Sequence, residues 1–289
     1  MTNPADDPYV TYRGLLFTVA YEILGSAADA EDVLQESWLR WDGVDRSRVR
    51  DPRAYLVRIV TRQAVNRLRA LARRREDYVG EWLPEPLLTT PDVAEDVVLA
   101  ESVSMAVLTV LETLGPTERA VFVLREVFDV PFAEIAGAVG KPPATVRQIA
   151  RRARLHVAAR RPRVRVSRAE QRRVLERFLA ALRTGEVQDL LDVLAPDVVL
   201  IADGGGVVAA AAAPVHGAGP VAEVLAAAHR VPLATAAVLL NGAPAVRLDL
   251  AGEPAAVSLE PADGKVSRIY LVRNPHKLTR LDRPAPLTR

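Results

Sequence analysis

Arginines at helical spacing are the most readable chemistry in this sequence. Residues 131–156, PFAEIAGAVGKPPATVRQIARRARLH, carry Thr145, Arg147, Gln148, Arg151, Arg152 and Arg154 around an apolar stripe of Val146, Ile149, Ala150 and Ala153. That stripe recurs at i, i+3, i+4 and i+7, which predicts one buried helical face. The opposite face is basic and rich in hydrogen-bond donors, suited to the major groove of DNA. A preceding helix is marked by Ile135, Ala136 and Val139. Gly140-Lys141-Pro142 breaks the chain between them, and Pro143 stands where a first helical residue is tolerated. The pair reads as a helix-turn-helix. From Lys141 to Arg168 there are ten Lys or Arg and no Asp or Glu. A face that is merely solvated normally mixes signs.

Two further helices carry opposite charge. In residues 29–41, DAEDVLQESWLRW, Val33, Leu34, Trp38 and Trp41 lie on one side, and Asp29, Asp32, Gln35 and Glu36 on another. Ser26 or Asp29 can cap this helix. By charge alone it is an ordinary solvated surface. Asp51-Pro52 opens the next helix, where eleven arginines fall between Arg46 and Arg75 with Asp51 as the one acid. Trp38, Trp41 and Tyr55 could stack on bases, but they match the apolar stripes and fit core packing better.

These elements need a scaffold, and composition bounds it. The 289 residues are enough for two or three domains. Net charge is only +2, so blocked local charge matters more than the total. The chain has no cysteine, which excludes disulfides and thiolate metal sites and suits the cytoplasm. The segment MTNPADDPYV does not resemble a signal peptide, and no apolar run reaches the roughly 20 residues of a membrane helix. No ligand cluster calls for a metal or cofactor.

Residues 76–100 are broken by prolines. Their string WLPEPLL needs a surface to cover Trp82, Leu83, Leu87 and Leu88. Leu114-Gly115-Pro116 stops one helix and starts another. From about Arg168 the pattern changes. Two helices precede a strand ending at Asp203, a helix is expected at 220–229, and strands at 234–241, 245–250, 255–260 and 265–273. This order predicts an α+β domain. AAAAAP at 209–214 reads as a loop, and DGGG as a strand-end turn requiring positive φ.

The order of features resembles the extracytoplasmic-function (ECF) sigma factors of bacterial RNA polymerase. The matching strings are DAEDVLQESWLRW (29–41), DPRAYLVRIVTRQAVNRLR (51–69), LGPTERAVFVLREVFDVPFAEIAGAVG (114–140) and ATVRQIARRAR (144–154). The resemblance implies a sigma region 2 domain at 8–75, a linker at 76–100 and a region 4 domain at 101–160. Asp32, Gln35, Glu36 and Trp38 would then grip the polymerase beta-prime subunit. Arg62, Asn66 and Arg69 would contact the melted minus-ten strand. Thr145, Arg147, Gln148, Arg151, Arg152 and Arg154 would meet the minus-35 element.

WLPEPL also resembles one sigma group with a fused SnoaL-like domain, a cone-shaped sheet around a helix that encloses a pocket. The strings DGGGV (203–207) and NPHKL (274–278) resemble that group's DGGGK and NPDKL; Val207 replaces its lysine and His276 its aspartate. This resemblance implies a regulatory domain at 168–278, with 279–289 as a tail. It also implies an interdomain contact among Trp82, Leu83, Pro84, Asp203, Gly204, Gly205, Gly206, Asn274, Pro275 and Lys277.

The expected protein is therefore multidomain: two all-α sigma domains, then an α+β SnoaL-like cone. It is expected to initiate transcription with core polymerase at promoter DNA and to perform no catalysis. Its C-terminal pocket leaves room for an unidentified small ligand. Two alternatives belong to other classes: a ligand-responsive helix-turn-helix regulator working without polymerase, and a SnoaL-type isomerase or cyclase with a DNA-binding appendage. For catalysis, Asp203, His216, His229, Asp249 and Glu260 are the available groups, and none forms a recognisable pair.

Overall fold

The computed structural model describes residues 7–76, 78–160, 166–228 and 230–289. His229 and the connector arginines Arg161, Arg163 and Arg165 lie outside the described residues.

The sigma half begins with α1 (Pro8–Leu24), α2 (Ala27–Asp42) and α3 (Pro52–Glu76). Short polar residues set their boundaries. Asp7 accepts the Tyr9 N–H at the start of α1, Ser26 caps α2 through the Asp29 N–H, and Asp51 accepts the Ala54 N–H at the start of α3. Gly25, at φ 71°, ends α1 in the left-handed conformation. Trp41 is buried, and its indole N–H donates to Asp7 at 2.9 Å. Trp38 packs edge-on against Tyr9. Trp41 serves the core, and Trp38 is half-buried at its edge with part of the ring left to solvent.

Two short helices, α4 (Pro91–Glu95) and α5 (Val97–Ser102), begin within the 76–100 span, and α6 (Met105–Leu111) and α7 (Pro116–Phe122) follow, α7 running into a π-turn at Val123–Val127. Then α8 (Phe132–Val139) and α9 (Pro143–Arg160) form the expected helix-turn-helix, with Gly140 at φ 67° between them. The two sigma modules are not separate beads. One continuous apolar cluster joins Leu16, Val60, Leu111, Phe122, Ile135 and Ala150.

The C-terminal domain has α10 (Arg168–Thr184), α11 (Val187–Val193), β1 (Leu194–Asp203), β2 (Val215–His216), α12 (Ala218–Ala228), β3 (Leu233–Leu240), β4 (Ala243–Leu250), β5 (Glu253–Ala262) and β6 (Lys265–Val272). The two-residue β2 and the single helical turn at Pro275–Lys277 were absent from the sequence reading; both are too short to show a periodicity. The sheet order is β2-β1-β6-β5-β4-β3, antiparallel except where β1 lies parallel to β6. Each of the turns Asn241-Gly242, Ala251-Gly252 and Asp263-Gly264 holds two successive residues at positive φ, the tight hairpin geometry that matches strand twist. Helices α10, α11 and α12 cover one face of the sheet through Phe178, Leu190 and Val221. The other face, carrying Ala245, Ala256, Tyr270 and Val272, meets Leu83 of the linker and Met105 of α6.

Segment 279–289 is not a loose tail. Leu287 is buried in the sigma core, the Thr288 N–H donates to Thr18 Oγ1 at 2.9 Å, and Arg289 pairs with Asp96.

Candidate functional site

The linker string is held from both sides. On the sigma side, Glu85 adds to the Ser26 cap of α2. Its Oε2 accepts from the Ala27 N–H at 2.7 Å and the Ala28 N–H at 3.3 Å, at the N-terminus of α2. The Glu85 carbonyl accepts from the Tyr21 hydroxyl at 2.7 Å, and its N–H donates to the Gly25 carbonyl at 2.8 Å. Burial raises the Glu85 carboxyl above its ordinary pKa, against the pull of the helix N–H groups.

On the other side stand the strings DGGG and NPHKL. Asp203 Oδ2 accepts the Leu83 N–H at 2.9 Å, and Lys277 Nζ donates to the Leu83 carbonyl at 2.6 Å. Asp203 and Lys277 pair with each other at 2.7 Å. Lys277 also lies over the Trp82 ring, 3.1 Å from its centroid. Tyr78 donates its hydroxyl proton to Asp203 and accepts from Asn274 Nδ2. Gly205 sits at φ 64°, and a Cβ there would fall 2.3 Å from Asn274 Nδ2, so both conformation and space demand glycine. Asn274 in turn caps the one-turn helix holding Pro275 and Lys277 by accepting the His276 N–H.

Across this contact Leu83 meets Asp203 and Lys277, and Trp82 meets Lys277. The charge pair is formed by the Asp and Lys that DGGG and NPHKL retain, not by positions 207 and 276. Val207 is exposed.

Sequence reasoning missed Asn241. Its backbone N–H and side-chain oxygen bracket Leu87 at 2.9 and 3.0 Å, while its Nδ2 donates to Tyr21 and to the Val103 carbonyl. With the Thr89 N–H donating to the Leu239 carbonyl, residues 87–89 pair with the end of β3, an edge strand. The visible signal was only the Asn-Gly turn.

The other predicted groups lie apart from this contact. Asp32, Gln35 and Glu36 share one exposed face of α2 with Leu39, which is 69% exposed. Asp32 pairs with Arg67 at 2.6 Å, and Glu36 accepts from Gln63. On α3, Arg62 donates to the Ala138 carbonyl of α8, and Arg69 donates to Asn66 and to Thr117 of α7. These bonds tie the edge of that face to α7 and α8, while Arg62, Asn66 and Arg69 all remain exposed. On α9, Arg147, Gln148, Arg151 and Arg152 are exposed, and Thr145 is half-buried. Arg154 differs: it makes a bidentate pair with Glu126 at 2.7 and 3.1 Å.

Among the described residues the candidate catalytic groups do not converge. Asp203 is buried in the linker contact, Glu260 bonds Tyr270 on the sigma-facing side of the sheet, Asp249 holds the Gly252 turn, and His216 is exposed on β2. Among the described residues no group of three His, Asp or Glu could hold a metal, and no helix is long and apolar enough to cross a membrane.

Residues 9–74 match the family model described as Sigma-70 region 2, and residues 104–157 match Sigma-70, region 4. The chain is 37% identical over 284 residues to the ECF RNA polymerase sigma factor SigJ of Mycobacterium tuberculosis, covering 92% of this chain and 91% of that one. The chain belongs to the ECF sigma factors. It is 32% identical over 199 residues to the probable ECF sigma factor SigI of the same organism, covering 68% of this chain and 69% of that one. The crystal structure of Mycobacterium tuberculosis SigJ superposes with a TM-score of 0.75 at 33% identity, covering 94% of this chain and 97% of that chain. The regulator without polymerase is thereby disfavoured: an ECF sigma factor directs transcription initiation and needs both helical modules, which these matches assign.

Proposed function

We propose that this ECF sigma factor rests in a self-held state, which its C-terminal domain maintains by gripping the linker. The Asp203–Lys277 clamp on Leu83 is the observation that carries the reading. Six residues, Trp82 to Leu87, connect the N-terminus of α2 to the sheet, so the domain acts on both sigma modules through one strand of chain. In this state Arg62 and Arg69 each give a hydrogen bond to α8 and α7 while staying exposed, so contact with a melted strand has to exchange those bonds.

In the released state Asp32, Gln35, Glu36 and Trp38 belong to the surface for the beta-prime subunit, with Leu39 supplying an apolar anchor beside the acids. Arg62, Asn66 and Arg69 then contact the minus-ten strand. Thr145, Arg147, Gln148, Arg151 and Arg152 face the minus-35 major groove. The protein acts in the cytoplasm, where polymerase and promoters are, and the C-terminal domain regulates rather than catalyses.

The decisive experiment is run-off transcription on genomic fragments with core polymerase. The expected result is transcripts that require both core and this protein, at higher yield with Lys277→Met than with the parent chain. Equal yield from the two proteins would remove the self-held reading. Absence of core-dependent transcripts from both would remove the polymerase role.

A further inference from the structure

Region 2 meets the region 4 helices across a shared apolar cluster, and two ionisable side chains are set into that seam. Glu22, in the last turn of α1, and Arg119, on α7, are both fully buried. Glu22 Oε1 accepts from the Ser102 hydroxyl of α5 at 2.7 Å, while its Oε2 is buried and meets no donor among the described residues. Arg119 crosses the seam from the other side. Its Nε donates to the Glu22 carbonyl at 2.8 Å, and its Nη1 donates to Glu112 at 2.7 Å. The Arg119–Glu112 pair is pressed against the end of α1: a Cβ on Gly25 would lie 2.5 Å from Glu112 Oε1 and 3.2 Å from Arg119 Nη2.

This arrangement suits a neutral Glu22. The arginine commits its hydrogen bonds to a backbone carbonyl and to a different carboxylate, and the Glu22 carboxyl group is left with a hydroxyl. A buried carboxylate without its own paired charge is costly. Of the neighbouring titratable groups, burial keeps Tyr21 of the same helix protonated, and it also raises Glu85 of the linker, which faces Arg280. Burial is the main cause pushing the Glu22 carboxyl up to about 8, against the pull of Ser102 and Arg119.

We propose that Glu22 is an alkali-sensitive latch on the seam between the two sigma modules: once it gives up its proton, separation of α1 from α5 and α7 is the way to hydrate the carboxylate left behind. In the closed seam the proton is held, and in the opened one Glu22 is an ordinary solvated carboxyl group. Opening therefore releases a proton. Rising pH favours it from about 4.5 up to about 8, and above that both states are ionised and the effect levels off. Opening also breaks the bonds from Arg62 to Ala138 and from Arg69 to Thr117, which tie α3 to α8 and α7. The latch stands without the self-held reading; its effect on transcription rests on that reading.

Amide hydrogen exchange on the full-length protein tests this, read by mass spectrometry at pH 6, 8 and 9 and corrected for the intrinsic pH dependence of exchange. Seam segments 18–25, 97–105 and 116–124 should be less protected than strands β5 and β6, the mark of a local opening. Their protection should fall about tenfold or more from pH 6 to 8, and less than about threefold from 8 to 9. Glu22→Gln, which keeps the shape of the neutral acid, should hold seam protection within about threefold from pH 6 to 8. Glu22→Met, apolar and of similar length, is the second variant should the first not fold. A parent seam indifferent to pH, or an equal fall in the folded variant, would overturn the latch. So would seam protection equal to that of β5 and β6, because the whole chain would then be unfolding. In run-off transcription with core polymerase, the yield of the parent relative to Glu22→Gln should rise about twofold or more from pH 7 to 8, the ratio cancelling the polymerase's own response. A flat ratio beside pH-dependent exchange would count against the self-held reading and leave the latch in place.

Discussion

Asp203 and Lys277 lie 74 positions apart and meet at 2.7 Å, the carboxylate fully buried and the lysine side chain 8% exposed. The backbone of Leu83 passes between them, giving its N–H to one and its carbonyl to the other. A buried ion pair adds little against a well-packed apolar substitute, but losing one partner strands a charge.

Lys277→Met should therefore loosen the linker contact by about 3–5 kcal/mol, the usual cost of leaving a buried charge unpaired. Asp203→Asn combined with Lys277→Met should recover part of that loss. Trp82 fluorescence and protease cleavage within 78–90 report the change. Parent-like protection in the single variant would show that the pair does not hold the linker.

Glu22 gives a prediction in pH. It is fully buried on α1, accepts from Ser102 at 2.7 Å, and faces Arg119, which also pairs with Glu112. Burial is the main cause pushing its carboxyl up to about 8, while the Ser102 hydrogen bond and Arg119 pull it down. The folded pKa lies above the unfolded value, so the folded state binds the extra proton. Stability from this group is full below about pH 4.5, falls as pH rises, and levels off above about 8. Glu22→Gln should flatten that part of the slope in melting temperature between pH 5 and 9.

Much of the fold was legible because it is written locally. Helix caps at Ser26 and Asp51, the Gly140 break and the hairpin turns follow from residues a few positions apart, and β3 to β6 fall close to the predicted spans. That the linker needs a covering surface was legible in WLPEPLL, but the residues that cover it were named only through a resemblance. Its partners are up to 220 positions apart, as for Asn241 and Tyr21, and such pairs leave no periodicity. Arg119 shows the same limit. It reads as a surface charge, yet it is 1% exposed and donates to the Glu22 carbonyl.

On α9, Arg147→Ala, Gln148→Ala and Arg151→Ala should include at least one that costs about 1–3 kcal/mol on the specific minus-35 duplex and relaxes specificity at one position. Arg154→Ala should be milder in folding, at about 0–1 kcal/mol, because its pair with Glu126 is exposed. Binding to specific and scrambled duplexes separates these cases. Equal losses on both duplexes for all three α9 variants would make their contacts purely electrostatic.

Asp32→Arg with Glu36→Arg reverses the charge of the exposed face of α2. Association with core polymerase should slow most at low salt and converge on the parent rate as salt screens the field. Stopped-flow rates at two ionic strengths decide it.

Leu287→Ala should cost about 2–4 kcal/mol of stability, since its side chain is 3% exposed in the sigma core. Urea denaturation of the full chain measures this. A loss under about 0.5 kcal/mol would return the segment to the status of a loose tail.

The return of segment 285–289 onto α1 sets an order of events during synthesis. Gly14 is so close to Thr288 that a Cβ there would lie 2.8 Å from its hydroxyl oxygen, so this seat is shaped for a segment that is made much later. The 129 residues after Arg160 take roughly 6–25 s to translate at ordinary bacterial rates. For that interval both sigma modules exist without the domain that grips their linker. Each newly made molecule therefore passes through an ungripped period before it closes, and the length of that period is set by the ribosome.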